Sequence, residues 1–413
     1  MTPAHGLERA AHLGLRAALP VAGFWVATAL VGLADYEQGL ERAVALLVAA
    51  AGLILLPHAP LPSVRARQIL AVGLAVVALV LVAHRLDQVR AAVDEGRNPT
   101  VDIATTTVAA IGIHRAGGDP YTARIDGYAE ALRPGGTGFE HTGGYKYGPV
   151  MTYAYLPGVV ARGSAGYYLT SFAALLALAV AAGSWAGRAA GPAAGIGAAV
   201  LVLTTAFIDS ELFFAGVNDV LPMALLVGAF AARAKGGGLL AGILLGLSFG
   251  AKLMPAGLLA LPLLLAARTR RLELVLAAAA VSLAAYVPLL LRSPKEVIGN
   301  LVRYNLDRPG DRTGLLDGLS SGEQALVKLV VLVALIAVLA AVLRAVGTRG
   351  SSAQGHVACL VAAMVALLYA ASPVLHRNWL FWIVPFFAVG IAVKAYGGPR
   401  SEIPVPPAEL RAP

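Results

Sequence analysis

Residues 238–271 read GLLAGILLGLSFGAKLMPAGLLALPLLLAARTRR, and the placing of their few charges decides the fold. Up to Ala267 the run's one charged residue is a cation near the middle, Lys252, and it carries prolines at Pro255 and Pro262. At about 1.5 Å per residue, the stretch 238–267 is too long for one crossing of a ~30 Å hydrocarbon layer and too short for two full ones. Lys252 and Pro255 interrupt it, so it reads as two half-helices. Arg233 and Lys235 precede it, and Arg268, Arg270 and Arg271 follow. Basic flanks on both sides put both ends on one side of a membrane. The segment is expected to enter and return, with Lys252 deep or near the far surface.

The rest of the chain repeats this alternation of apolar block and charged gap. Hydrophobic residues make up 58% of the sequence, charged residues 13%, and the mean hydropathy is +0.75, values foreign to a soluble domain. In lipid only helices and closed barrels satisfy their own backbone, and blocks of about 20 apolar residues without alternation select helices. The fold class is therefore an all-α polytopic membrane protein. Its bundle is expected to hold about 10–12 transmembrane helices, counting a re-entrant half-helix pair. Spans are expected at 14–33, 43–58, 67–84, 165–187, 191–208, 218–234, 272–291, 323–344, 356–373 and 379–396. The first has basic flanks, Arg9 and Arg16, like a signal peptide, but its length and lack of a cleavage site mark a retained span. Residues 1–396 read as one transmembrane domain, and the Pro-rich 397–413 as a disordered cytoplasmic tail.

The net charge of +9 is a topological signal. Arg65, Arg67, Arg188, Arg233, Lys235, Arg344, Arg349, Lys394 and Arg400 fall in alternate gaps with almost no acids, which makes those gaps and both termini cytoplasmic. No basic stripe with interleaved aromatics suggests nucleic acid, so none is expected as a partner. Localisation is expected in the plasma membrane as a multi-pass protein. The long polar loop 85–163, the largest gap, then faces outward together with 209–219, 292–322 and 376–378. Stretches such as Ile103 to Ile113 are apolar enough to lie on the bilayer as interfacial helices. The single cysteine, Cys359, lies inside an apolar block, so no disulfide framework exists within one chain. Outward carboxylates are scattered, and no metal or other cofactor is expected. Gly117-Gly118 and Gly143-Gly144 lack the strand-to-helix setting of a nucleotide loop. A donor activated by lipid rather than by nucleotide follows.

Several outward residues could carry chemistry. Asp102 follows Pro99-Thr100-Val101, a setting that equally suits a helix N-cap. An ammonium inside an apolar segment costs on the order of 2.5–3.5 kcal/mol, so Lys252 needs a partner or a wet cavity unless it snorkels to the interface. As a phosphate ligand it is the strongest candidate. His376 and Arg377 sit where two spans meet the outer surface and could contact phosphate, or could cap the interface beside Trp379 and Trp382 in an aromatic belt. Arg303 and Asn305 lie in a loop whose acids nearly cancel its bases, so they read either as phosphate or sugar contacts or as a solvated ion-pair surface. Asp209, Glu211, Asn218 and Asp219 read as an outward acidic patch, either binding sugar hydroxyls or simply solvated. Tyr145, Tyr147, Tyr153 and Tyr155 suit a sugar-stacking platform at membrane level, or an aromatic belt.

The order Asp102-Ile103-Ala104, Gly117-Gly118-Asp119-Pro120-Tyr121, then Tyr145-Lys146-Tyr147-Gly148-Pro149 resembles the first outer loop of family 87 polyprenyl-phosphate-dependent mannosyltransferases of the GT-C superfamily. Gly238 to Leu265, with Gly242, Gly246, Lys252, Pro255 and Pro262, is similar to a glycine- and lysine-bearing stretch of the same family. The resemblance spans roughly 100–390. It implies a GT-C bundle with a large catalytic outer loop, and an inverting transfer of a hexose, mannose by preference, from polyprenyl phosphate to a lipid or glycan acceptor. It makes Asp102 the general base, with Asp35 and Asp209 as alternative carboxylates. Lys252, His376, Arg377 and Arg303 would hold the donor phosphate. Tyr121, Tyr145, Lys146, Tyr147, Asn218, Asp219 and Asn305 would line the sugar and acceptor site. A pentose donor remains open, as does a secondary transporter, although a transporter should show paired halves and midplane ionisable groups.

Overall fold

The computed structural model of the chain describes residues 102–125, 143–208, 218–253, 270–304, 319–347, 351–370 and 380–396, with isolated positions between 72 and 91 and between 259 and 263. Every regular element among the described residues is helical. In chain order these are α1 (Asp102–Arg115), α2 (Pro149–Ala190), α3 (Pro192–Ile208), α4 (Val220–Ala234), α5 (Gly238–Ala251), α6 (Arg271–Arg292), α7 (Pro294–Ile298) with a π turn over Gly299–Arg303, α8 (Ser321–Gly347), α9 (Ser351–Ala370) and α10 (Leu380–Tyr396). By length and composition α2, α6 and the Ser321–Val342 part of α8 can cross a membrane, and shorter apolar stretches occupy α3, α4, α5, α9 and α10. The chain is an all-α polytopic membrane protein. The spans expected from residue 165 onward coincide with these helices to within a few residues. Those at 14–33 and 43–58 and the tail 397–413 lie outside the described residues, and 67–84 is described only at isolated helical positions.

Two features of the sequence shape the bundle. The first is the break inside α2, where Gly163 takes φ 58° and ψ −137°, a conformation side chains oppose. The chain folds back there, and Gly158 and Gly166 meet backbone to backbone: a Cβ on Gly166 would lie 1.7 Å from the Gly158 carbonyl oxygen. The loop expected to close at Gly163 therefore contributes its last turns, residues 149–161, as a separate helical piece. Against that piece pack Ala104 and Ile111 of α1, with Met151 and Tyr155. Ring stacking of Tyr155 on Tyr167, with centroids 4.5 Å apart, ties it to the span proper.

The second feature is the glycine stripe of α5, Gly238, Gly242, Gly246 and Gly250, one per turn on one face. Along it α6 runs parallel and close: Cβ atoms on Gly242 and Gly246 would fall 2.4 Å from the Leu274 oxygen and 2.7 Å from Val281 Cβ. Without an aqueous hydrophobic drive, small residues let backbones approach until dispersion holds them. Gly238 meets Arg270 and Glu273 at one end, and Gly250 meets Ala285 near the other. The two flanks of the segment, Gly238 and Arg270, therefore lie together at one end of the bundle. The other face of α6, with Leu272, Leu276, Leu283 and Leu291 exposed, is free for lipid. Within the main core Trp185 stacks on Phe230 and Phe386 meets both rings edge-on, joining α2, α4 and α10.

Candidate active site

The site is assembled at the end of the bundle where α5 stops. Its frame is the loop between α1 and α2, and the loop's glycines and prolines explain its course. After α1, Gly117 turns with φ 81° while its N–H donates to the His114 carbonyl (3.0 Å) and that of Gly118 to Ile113 (2.9 Å), a Schellman stop. Asp119 then closes an Asx turn, its Oδ1 accepting the Tyr121 N–H at 2.9 Å. Its Oδ2 accepts the Ser293 hydroxyl at 2.6 Å, with Arg292 Nε 3.7 Å away, clamping the loop to the junction of α6 and α7. Asn300 donates to the Tyr121 carbonyl at 3.0 Å.

The second arm of the loop lies against the first. The Tyr145 N–H donates to the Pro120 carbonyl and the Ile125 N–H to that of Gly143, each at 2.9 Å. Tyr145 is wholly buried, its hydroxyl 3.1 Å from that of Thr107 on α1. The Tyr121 hydroxyl donates to the Tyr147 carbonyl at 2.9 Å. Burial above all raises the pKa of both phenols, so they stay neutral and available as hydrogen-bonding struts. The Tyr121 hydroxyl is committed to the loop itself, and that of Tyr145 to Thr107 of α1. The four-tyrosine platform expected from sequence is therefore divided: Tyr145 and Tyr155 are core, Tyr153 is exposed against His114, and Tyr147 is half-buried.

Tyr147 is aimed by the next residue. The Gly148 N–H donates to the Ala251 carbonyl at 2.9 Å, capping the last turn of α5, and a Cβ at 148 would meet the Gly250 carbonyl oxygen at 2.0 Å. No side chain fits there. Lys252 leaves the helix at that point in extended conformation (φ −150°, ψ 116°). Its ammonium pairs with Asp219 Oδ1 at the start of α4 and lies 5.5 Å from the centroid of the Tyr147 ring. The same oxygen accepts the Trp382 indole N–H from α10 at 2.9 Å. Ser248 fixes the two helices by donating to the Pro222 carbonyl at 2.8 Å. Asp219 is 0% exposed and Lys252 20%, so the carboxylate is the sealed member and the ammonium the accessible one. A cation at this spot also gains from the carbonyl end of α5.

This arrangement alters two sequence readings. Asn218 and Asp219 are buried, not an outward acidic patch, because Asp219 is the counter-ion that Lys252 requires. Trp382 is buried too and serves as a hydrogen-bond donor to that carboxylate, not as a belt residue. Its role was missed because a tryptophan beside a span ordinarily signals an interface. The unmet demand of Lys252 for an anion was the signal that could have led to Asp219. Asn218 has neither side-chain oxygen nor nitrogen hydrogen-bonded, an unusual state for a fully buried amide. Lys146, nearly buried, holds its ammonium 3.6 Å from the Tyr304 ring centroid, while Arg303 beside it on the π turn is exposed. Asp102 opens α1, but its carboxylate, like Asp35, Asp209, Asn305, His376 and Arg377, lies outside the described residues.

Helices of membrane-crossing length, a broken helix ending in a lysine, and a carboxylate sealed beneath an aromatic loop define an integral-membrane protein with a polar site at one end of its bundle. The sequence profile of Glycosyltransferase family 87 matches residues 145–373, more than half of the chain, and the chain belongs to that family. It is a membrane glycosyltransferase. The match begins at Tyr145 and takes in Tyr147, Gly148, Asp219 and Lys252, while Asp102 precedes it. No curated protein and no solved structure gave a match.

Proposed function

We propose that this glycosyltransferase inverts configuration while moving a hexose, mannose first among the candidates, from polyprenyl phosphate to a lipid or glycan acceptor at the extracytoplasmic face of the plasma membrane. The observation that carries the reading is the accessible Lys252 ammonium, held by buried Asp219 at the end of a broken apolar helix and under the Tyr147 ring. A lipid-borne phosphate reaches such a site from the bilayer without crossing water. In the reaction the acceptor oxygen bonds to the anomeric carbon as the bond from that carbon to phosphate oxygen breaks, its electron pair leaving with phosphate. The acceptor proton goes to a carboxylate, which in this reading is Asp102. Asp219 is a poor candidate for that task, since its Oδ1 already accepts from ammonium and indole.

Lys252 stabilises the charge that grows on the departing phosphate. Arg303, His376 and Arg377 are further phosphate ligands in this reading, and Lys146, Tyr147, Asn218 and Asn305 contact sugar or acceptor. Tyr121 and Tyr145 act by holding Tyr147 in place. Residues 1–396 work as one unit, with 397–413 as a cytoplasmic tail. Arg233, Lys235, Arg270 and Arg271 lie at the opposite end of α5, and the tendency of such residues to stay cytoplasmic supports an outward-facing site.

The test uses membranes supplied with radiolabelled polyprenyl-phosphate mannose. Asp102→Asn is expected to abolish transfer at unchanged protein level, and Lys252→Met to lower donor use by about 100-fold or more. Turnover retained in Asp102→Asn would move the base to Asp35 or Asp209. A sugar nucleotide replacing the lipid donor in the wild type would end the lipid-donor reading.

A further inference from the structure

A lysine meant only to grip phosphate would do so best without a carboxylate beside it. Here a carboxylate is supplied and fixed: Asp219 is fully buried, takes the Lys252 ammonium on Oδ1, and is kept from rotating away by Trp382 on the same oxygen at 2.9 Å. The pair carries no net charge. What faces a ligand is therefore a dipole, with the accessible cation in front and the anion sealed behind it.

The charge on the lipid phosphate changes during the proposed reaction. The donor is a phosphodiester with one negative charge. Breaking the bond from the anomeric carbon to oxygen leaves that electron pair on phosphate, and the released polyprenyl monophosphate carries between 1.5 and 2 negative charges at about pH 7. A lone lysine would bind the product more tightly than the donor and stall. With Asp219 a few ångströms behind, each added negative charge on phosphate is repelled as well as attracted.

We infer that Asp219 offsets the pull of Lys252 on phosphate charge, so that the doubly charged monoester product gains little over the singly charged diester donor and can leave. The inference rests on the reading of Lys252 as a donor-phosphate ligand. Asp219 is a positioning and specificity residue, not the base, and Trp382 enforces its place.

The experiment uses the full-length protein in detergent or nanodiscs at about pH 8, where the monoester is fully charged. Two inhibitors of identical chain length compete with lipid-linked mannose: polyprenyl monophosphate and its methyl diester. The wild type is expected to favour the monophosphate over the methyl diester by less than about threefold. In Asp219→Asn that preference widens, and monophosphate inhibition strengthens by about tenfold relative to donor KM. A pre-steady-state burst accompanies it, because release becomes slow. The wild-type comparison needs no variant to fold. A wild type that binds monophosphate tenfold tighter than methyl diester overturns the inference, as does an Asp219→Asn enzyme with an unchanged inhibition ratio. Lys252→Met separates the two levels. If it loses donor use while Asp219→Asn leaves the inhibition ratio unchanged, the phosphate reading stands and only the offset falls. If it keeps normal donor use, both fall.

Discussion

At the Gly238 end of α5, Arg270 and Arg271 stand exposed, Lys235 likewise, and an ion pair there, Arg270 with Glu273 at 3.8 Å, joins two largely exposed side chains. At the Ala251 end a single lysine meets a carboxylate from which solvent is excluded, and an indole donates to that carboxylate. Both ends belong to one 14-residue helix packed against α4 and α6. At the first end charge is left in a high dielectric, where a pair contributes little. At the second it is taken out of water, where losing one partner leaves the other stranded at a cost of about 3–5 kcal/mol. Exposed cations at a helix end record orientation in a membrane. A buried matched pair restricts the chain so tightly that it calls for a function.

The contrast breaks most severely at Gly148, which locks the aromatic loop to the buried end. Gly148→Val would drive side-chain carbon into the Gly250 carbonyl, which a Cβ alone already meets at 2.0 Å. The loop must lift, carrying Tyr147 away from Lys252. Transfer is expected to fall by about 100-fold or more, since a displacement of about 1 Å costs that much in positioning. Thermal unfolding in detergent should show a loss of about 1–3 kcal/mol from overpacking. Near-normal turnover would mean that the loop does not work from its seat on α5.

Trp382→Phe sharpens the comparison more gently. An aromatic ring stays, but the smaller phenyl gives up some packing along with the N–H to Asp219, a bond to a charged group that contributes about 1.5–3 kcal/mol. Donor use should drop roughly tenfold, appearing in donor KM before acceptor KM. Because the indole acts through Asp219 on Lys252, its effect should vanish when Lys252 is already methionine. Strict additivity of the two substitutions would show that Trp382 merely packs.

How far these features could be read from sequence depends on the range of the interactions behind them. The path of α5, its break at Lys252 and the close of the loop at Gly163 follow from local charge, proline and glycine, so they were legible. The glycines of α5 signal close approach by spacing alone, although not which helix approaches. The pairing of Lys252 with Asp219 spans 33 residues and that of Trp382 with Asp219 spans 163, and no periodicity encodes either. Asp119 illustrates the limit best. It stands in a family-like Gly-Gly-Asp-Pro-Tyr element, yet its oxygens serve a turn and a clamp 174 residues away on Ser293. Motif membership announced that the residue mattered, and only packing revealed that its part is structural.

The smallest effect is expected at the exposed end. Arg271→Gln removes a charge that solvent already screens, so stability should change by less than about 0.5 kcal/mol and transfer by less than about twofold. Single substitutions there should be silent because orientation is set by the summed bias of all the basic residues in the short loops. Replacing Arg233, Lys235, Arg270 and Arg271 together should instead yield a mixed population, read by labelling an introduced cysteine at position 235 with a membrane-impermeant thiol reagent in intact cells. Correctly oriented molecules should retain full transfer per active site, because none of those four cations reaches the Lys252 end. A quadruple variant that kept its orientation but lost chemistry would join the two ends of α5 into one working unit and dissolve the division drawn between them.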